Sequence, residues 1–185
     1  YSMADSIIVG RLLGTNALAA VGNTGPMTFL ILGFISGLTS GFAVITAQAF
    51  GSKNKEELKR SIAMNIMLNL GFGLIFTILA LATNRLLLEL INTPEEIIND
   101  SKLYLDIIYG GLFATILYNA TSCILRAVGN SKTPLYFLIL SSVLNVILDI
   151  ILIKYTNLGV AAAALATVIS QLISGILSII LILKK

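Results

Sequence analysis

Histidine is absent from these 185 residues, and cysteine occurs once, at Cys123. A single thiol excludes an intramolecular disulfide and any metal site that needs several cysteines. With no imidazole, no metal-ligand cluster and no nucleophile–base pair on adjacent turns, nothing here reads as an enzyme. Charge is scarce as well. Charged residues make up 11% of the chain, where a soluble domain carries about a quarter. The net charge of +3 does not point to nucleic acid, because the basic residues sit in short loops, where topology signals sit. From Tyr1 the sequence runs directly into apolar residues, so these residues are not expected to include a basic leader or a cleavage signal,.

Apolar residues fill what is left. They make up 57% of the chain, and the mean hydropathy is +0.96. The runs are unbroken rather than alternating, which predicts an all-α integral membrane protein and not a β-barrel. Six segments are expected to span, at residues 1–13, 26–50, 61–83, 101–125, 135–155 and 160–183. The first is only about half a span. With Lys184 and Lys185 closing the chain behind the last helix, the expectation is a fragment whose first helix has lost its cytoplasmic half.

Residues 14–25 read as a Gly/Asn-rich connection and residues 51–60 (GSKNKEELKR) as a charged loop. In the segment at 84–100, RLLLELI is amphipathic, and NTPEEI reads as a helix start, with Pro94 followed by first-turn acids,. Gly110-Gly111 marks a weak point in the fourth segment, and residues 126–134 (RAVGNSKTP) form a polar turn. Lys53, Lys55, Lys59, Arg60, Arg126, Lys132, Lys184 and Lys185 fall on one side if six helices alternate. By the positive-inside rule that side is cytoplasmic, so the loops after the second and fourth segments and the C-terminus lie inside.

Asn145 and Asp149 stand four residues apart in a run of Ile, Leu and Val. On a helix both face one way, roughly 6 Å apart. A carboxylate there costs at least ~2.5 kcal/mol if it faces lipid, so it is expected to face the protein interior, a partner or a cation. No basic residue stands at i±3 or i±4 to pair it for structure; Lys154 is five away, near the interface. Counting from each outer helix end at 1.5 Å per residue places Asp149 ~9 Å deep, Asn145 ~15 Å, Thr167 ~12 Å and Asp5 ~12 Å. Four polar groups on three segments thus share one slab of the membrane. Carboxylate, amide and hydroxyl oxygens suit a hard cation or a proton. The plainer readings are Asp5 paired with Arg11, Asn145 bonded to a neighbouring helix and Thr167 bonded back to its own backbone.

Gln48, Asn65, Asn69 and Asn119 read as glue between helices, and Gly33, Gly37 and Gly41 as a ladder for close helix packing. Phe29, Phe34, Phe42, Tyr109, Phe113 and Tyr118 read as packing or lipid-facing aromatics, and Tyr104 and Asp106 as interface residues.

Several stretches in order resemble the multidrug and toxic compound extrusion (MATE) transporters: ADSIIVGRLLGTNALAAVG at 4–22, AQAFGSKN at 47–54, LRAVGNSKTP at 125–134, NVILD at 145–149 and LGVAAAALATVISQ at 158–171. The resemblance covers almost the whole chain. It implies one N-terminal lobe of six helices from a twelve-helix protein, with the C-terminal lobe absent. It further implies a multi-pass plasma-membrane antiporter, without a cofactor, that expels organic and often cationic compounds against entry of Na⁺ or H⁺. By motif position the family's N-lobe cation site falls on Asp5, Asn145, Asp149 and Thr167, with Tyr1 as support. An isolated lobe, holding half a substrate chamber, is not expected to transport. The rival readings are a flippase for lipid-linked oligosaccharide or cell-wall precursors and a non-transporting membrane assembly subunit. A pyrophosphate groove calls for intramembrane Arg or Lys, whereas the embedded charges here are acidic. An assembly subunit has no need of two buried acids at one depth.

Overall fold

A run of alanines sets the middle of the molecule. Ala161, Ala162, Ala163, Ala164 and Ala166 are all buried, and their small side chains let neighbouring helices come close. The structure, a computed structural model, describes residues 2–183. Tyr1, Lys184 and Lys185 lie outside the described residues. Eight α-helices follow one another: α1 (Ser2–Leu12), α2 (Thr15–Asn23), α3 (Gly25–Gly51), α4 (Lys55–Leu90), α5 (Glu95–Gly110), α6 (Leu112–Ala127), α7 (Lys132–Tyr155) and α8 (Val160–Leu183). The alanine-rich start of α8 packs against α5, α6 and α7, and α1 closes on α7 from the side.

Among the described residues four stretches are long and apolar enough to cross a membrane: Thr15–Gly51, Lys55–Leu90, Lys132–Tyr155 and Val160–Ile182. The pair α5 and α6, bent by 45°, forms a fifth if taken as one span. With the 11-residue α1 these make the expected six-segment helical lobe. Its outside is apolar, with Phe29, Leu30 and Met67 among many large exposed side chains.

Three local features depart from the sequence reading. Residues 15–23 are helical and not a connection, because Ala17, Ala20 and Val21 form a buried stripe. Asn23 Nδ2 donates to Thr93 Oγ1 at 2.7 Å and Ser101 Oγ to the Ala20 carbonyl at 3.0 Å, which ties α2 to the start of α5. Gly14, at φ 91°, takes the left-handed turn between α1 and α2,. Helix α4 begins at Lys55, inside the presumed loop, because Asn54 Oδ1 accepts from the Glu56 and Glu57 amides at 3.1 and 3.3 Å,. Two acids in its first turn favour the same start,. At its far end α4 continues to Leu90, carrying the Arg85–Glu89 pair at 3.0 Å. The helix start read at NTPEEI is found as expected, opened by Pro94 and the two glutamates, and residues 95–100 belong to α5.

The glycine ladder makes no close packing among the described residues. Gly33, Gly37 and Gly41 lie on an exposed face of α3, and a Cβ at any of them would meet nothing within 4 Å. The opposite face joins α3 to α4. Thr39 Oγ1 donates to Asn69 Oδ1 at 2.9 Å, and Asn69 Nδ2 donates to Asn65 Oδ1 and to the Asn65 carbonyl, both at 2.8 Å. Asn65 and Asn69 therefore act as glue, whereas Gln48 is exposed and Asn119 half-buried. Of the aromatics, Phe34 stacks near Phe76 and Phe42 near Phe72 across the same pair of helices. Tyr109 is fully buried and Phe29 exposed.

The close approaches fall elsewhere. A Cβ at Gly111 would stand 2.3 Å from Val168 Cγ2, and one at Gly73 would stand 2.5 Å from Ile116 Cδ1. Gly111 is thus both the bend between α5 and α6 and the notch into which α8 seats Val168.

Candidate cation site

Asn145 and Asp149 lie one turn apart on α7, both 0% exposed, and Asp5 of α1 is 1% exposed. Thr167 of α8 sits between them, half-buried. Asn145 Nδ2 donates to Thr167 Oγ1 at 3.1 Å, and Thr167 Oγ1 donates to Asp5 Oδ2 at 3.2 Å. One hydroxyl, using one lone pair and its proton, thus joins three helices that are far apart in sequence. The reason is steric: the break at Thr156–Gly159 returns the chain so that α7 and α8 form a hairpin, and Gly159 at φ 58° makes the turn. Small side chains at the start of α8 leave room for α1 to close.

The structure therefore brings Asp5, Asn145, Asp149 and Thr167 together. Asp5 bonds to Thr167 and not to Arg11, which is exposed. Thr167 spends its hydroxyl on neighbouring helices and not on its own backbone. Tyr1, the remaining expected member, is outside the described residues.

The oxygens left over define the chemistry. Asp5 Oδ1, Asn145 Oδ1 and both Asp149 oxygens are buried without a hydrogen-bond partner. The Asp5 and Asp149 carboxyls nevertheless lie against each other. Two carboxylates have no hydrogen to share, so their approach is stable only with a proton or a cation between them. Neither acid takes part in an ion pair among the described residues; those found are Arg85–Glu89 and Lys102–Asp106. No three His, Cys, Asp or Glu side chains come together among the described residues. The donor set is all oxygen with two carboxyls, which fits a hard monovalent cation or a proton and not a thiolate or imidazole metal.

Tyr104 is the residue that sequence reasoning misplaced. It is buried on α5, not an interface side chain, and interacts electrostatically with both Asp5 and Asp149. Asp106, two residues on, points the other way. It accepts from Lys102 Nζ at 2.5 Å and from Asn84 Nδ2 of α4. Helical geometry carried the signal, since residues two apart lie on nearly opposite faces.

Residues 1–151 match the family model described as MatE. The chain is 34% identical to "Probable multidrug resistance protein YoeA" of Bacillus subtilis over 99% of its own length and 40% of that protein. It is 33% identical to "Probable multidrug resistance protein YpnP" of the same organism, over 100% of this chain and 41% of the other. Among solved structures, one described as MATE in the bent conformation superposes with a TM-score of 0.90 at 30% identity, covering 97% of this chain and 40% of that one. The chain thus spans about two fifths of the length of the curated relatives it matches.

Proposed function

The chain belongs to the MatE family, and from that premise we propose that it forms the cation-coupling lobe of a secondary antiporter. The whole protein expels organic, often cationic, compounds from the cell in exchange for Na⁺ or H⁺. The observation that carries this reading is the pair of buried acids, Asp5 and Asp149, placed with orphaned oxygens and in no ion pair among the described residues. In a low-dielectric interior two facing carboxylates repel unless neutralised. A bound proton or Na⁺ removes that repulsion, accepted by Asp149, Asp5 Oδ1 and Asn145 Oδ1. Thr167 orients Asp5 and Asn145 through its hydroxyl. Tyr104, buried on α5, interacts electrostatically with both acids.

Occupancy then biases how α1 and α7 pack on α8. A cation bound more tightly in one packing shifts the population toward it, and by no more than its difference in affinity. The substrate binds between this lobe and a second one, and the two rock against each other. Six spans with the boundaries read above place Lys53, Lys55, Lys59, Arg60, Arg126 and Lys132 inside the cell by the positive-inside rule.

The test uses the full-length protein that contains this chain, reconstituted in vesicles. Ethidium efflux is driven by an imposed Na⁺ gradient and, separately, by a pH gradient. Efflux under one of them, lost at least tenfold in Asp149→Asn, is the expected result and names the ion. Normal coupled efflux in Asp149→Asn overturns the site.

A further inference from the structure

The polar lining does not stop at Asn145. Ser141, one turn further toward the Lys132 end of α7, shares the face of Asn145 and Asp149 and is fully buried,. The Asn145–Thr167 bond fixes the register of the antiparallel pair α7 and α8, so Ser141 stands level with Gln171. Gln171 Oε1 in turn accepts from Thr115 of α6. Helices α6 and α8 run parallel, so the same offset sets Ser122 level with Ser178, with Ser174 between the two levels. Thr115, Ser122, Ser141, Gln171, Ser174 and Ser178 are all buried. From Thr167 to Ser178 the file runs about 16 Å along α8, toward the end of the bundle that carries Arg126 and Lys132.

A lone serine inside a helix ordinarily bonds its own backbone, as Ser178 does to the Ser174 carbonyl at 2.9 Å. Ser122, Ser141 and Ser174 do not: each hydroxyl is buried with no hydrogen-bond partner. Alanine would fill the same space without a polar atom to satisfy. Three unsatisfied hydroxyls aligned behind an acidic site point to water as their partner. Hydroxyl and amide groups both donate and accept, the requirement for a path that holds a hydrated monovalent cation or relays a proton.

We propose that Ser141, Thr115–Gln171, Ser174, Ser122 and Ser178 form a hydrated file through which the coupling cation passes between the Asp5–Asp149 site and the Arg126–Lys132 end of the bundle. The proposal rests on the reading of Asp5 and Asp149 as the cation site. The test again uses the full-length protein, with Cys123 replaced by alanine and single cysteines at Ser122→Cys, Ser141→Cys and Ser174→Cys. Ala120→Cys, buried on α6 and two residues, hence about 200°, around that helix from Ser122, is the dry control. Vesicles are exposed to Ag⁺, a thiol-seeking monovalent cation, from the Arg126 side, and the thiols left free are counted with a maleimide after denaturation. The three file cysteines are expected to be consumed at least tenfold faster than Ala120→Cys; equal rates overturn the proposal. A second arm removes the hydroxyls without changing size, in Ser122→Ala/Ser141→Ala/Ser174→Ala. Gradient-driven efflux is expected to slow at least tenfold with no loss of melting temperature, and a wild-type rate overturns the proposal. Failure of the underlying site reading shows separately, as intact coupling in Asp149→Asn, a result on which the labelling rates do not depend.

Discussion

Gly111→Ala adds one methyl group, and the structure gives it no room. The new Cβ would stand 2.3 Å from Val168 Cγ2, 2.6 Å from its Cγ1 and 3.0 Å from its Cβ. Carbon atoms settle at about 3.5–4.0 Å, so more than about 1 Å must be found. Val168 cannot rotate clear, because both of its γ carbons and the Cβ are involved and a β-branched side chain in a helix holds one rotamer. Backbone strain plays no part: Gly111 has φ −88°, which any residue adopts. Helix α8 itself must retreat, and the next residue along it is Thr167. Its bonds to Asn145 and Asp5 are already 3.1 and 3.2 Å long, and a further ~1 Å breaks both. The overpacking costs about 1–3 kcal/mol. Gly110→Ala is the internal control. A Cβ there meets nothing within 4 Å, and helix propensity favours alanine by up to ~1 kcal/mol. The assay is thermal unfolding of the full-length protein in detergent together with efflux driven by the coupling gradient. Gly111→Ala is expected to melt earlier and to lose coupling, Gly110→Ala to do neither, and Gly111→Ala/Val168→Ala to recover much of both. Gly111→Ala that melts and couples like the wild type refutes the notch.

Two further substitutions separate the site from the scaffold. Thr167→Val keeps the shape but strands Asn145 Nδ2 and Asp5 Oδ2, a loss of ~1–3 kcal/mol. Apparent affinity for the coupling ion is expected to fall about tenfold to a hundredfold, with Thr167→Ser close to wild type; a valine variant as good as serine contradicts the bridge. Thr39→Val removes the hydroxyl whose one proton is shared between the Ile35 carbonyl at 2.7 Å and Asn69 Oδ1 of α4 at 2.9 Å; an interhelical bond in a membrane is worth ~0.6 and at most ~1.7 kcal/mol. A lower melting temperature with coupled efflux intact is expected, and an unchanged melting temperature shows that the Asn65–Asn69 pair holds those helices without it.

What could be read from the sequence divides along a physical line. Length, apolarity and i,i+4 spacing are properties of one helix, and they carried the membrane lobe, the start at Pro94, the weak point at Gly110-Gly111 and the shared face of Asn145 and Asp149. Which helix lies opposite is a property of two. The depth count left room for Asp5, Asn145, Asp149 and Thr167 to meet, but it could not say that one threonine hydroxyl would join three helices, nor that Tyr104 would be buried. Tyr104 was hidden by its neighbours: Lys102 and Asp106 look interfacial, yet they occupy the far side of the same helix. The short helix at Thr15–Asn23 was hidden by its own composition, since Gly14, Asn16, Gly22 and Asn23 resemble a loop until its buried face finds α5.

The glycines make the same point more sharply. Gly33, Gly37 and Gly41 have the regular spacing that marks a packing face, yet a Cβ at any of them would meet nothing within 4 Å among the described residues. Gly73 and Gly111 have no pattern at all, and they are where a side chain of another helix comes nearest to the place a Cβ would take. Regular spacing shows that a close approach is sterically allowed, whereas a close approach is made only where a partner side chain arrives. Val168 arrives at Gly111 beside Thr167, which bonds Asp5 and Asn145, so this close approach and the most polar site of the lobe are mechanically one unit.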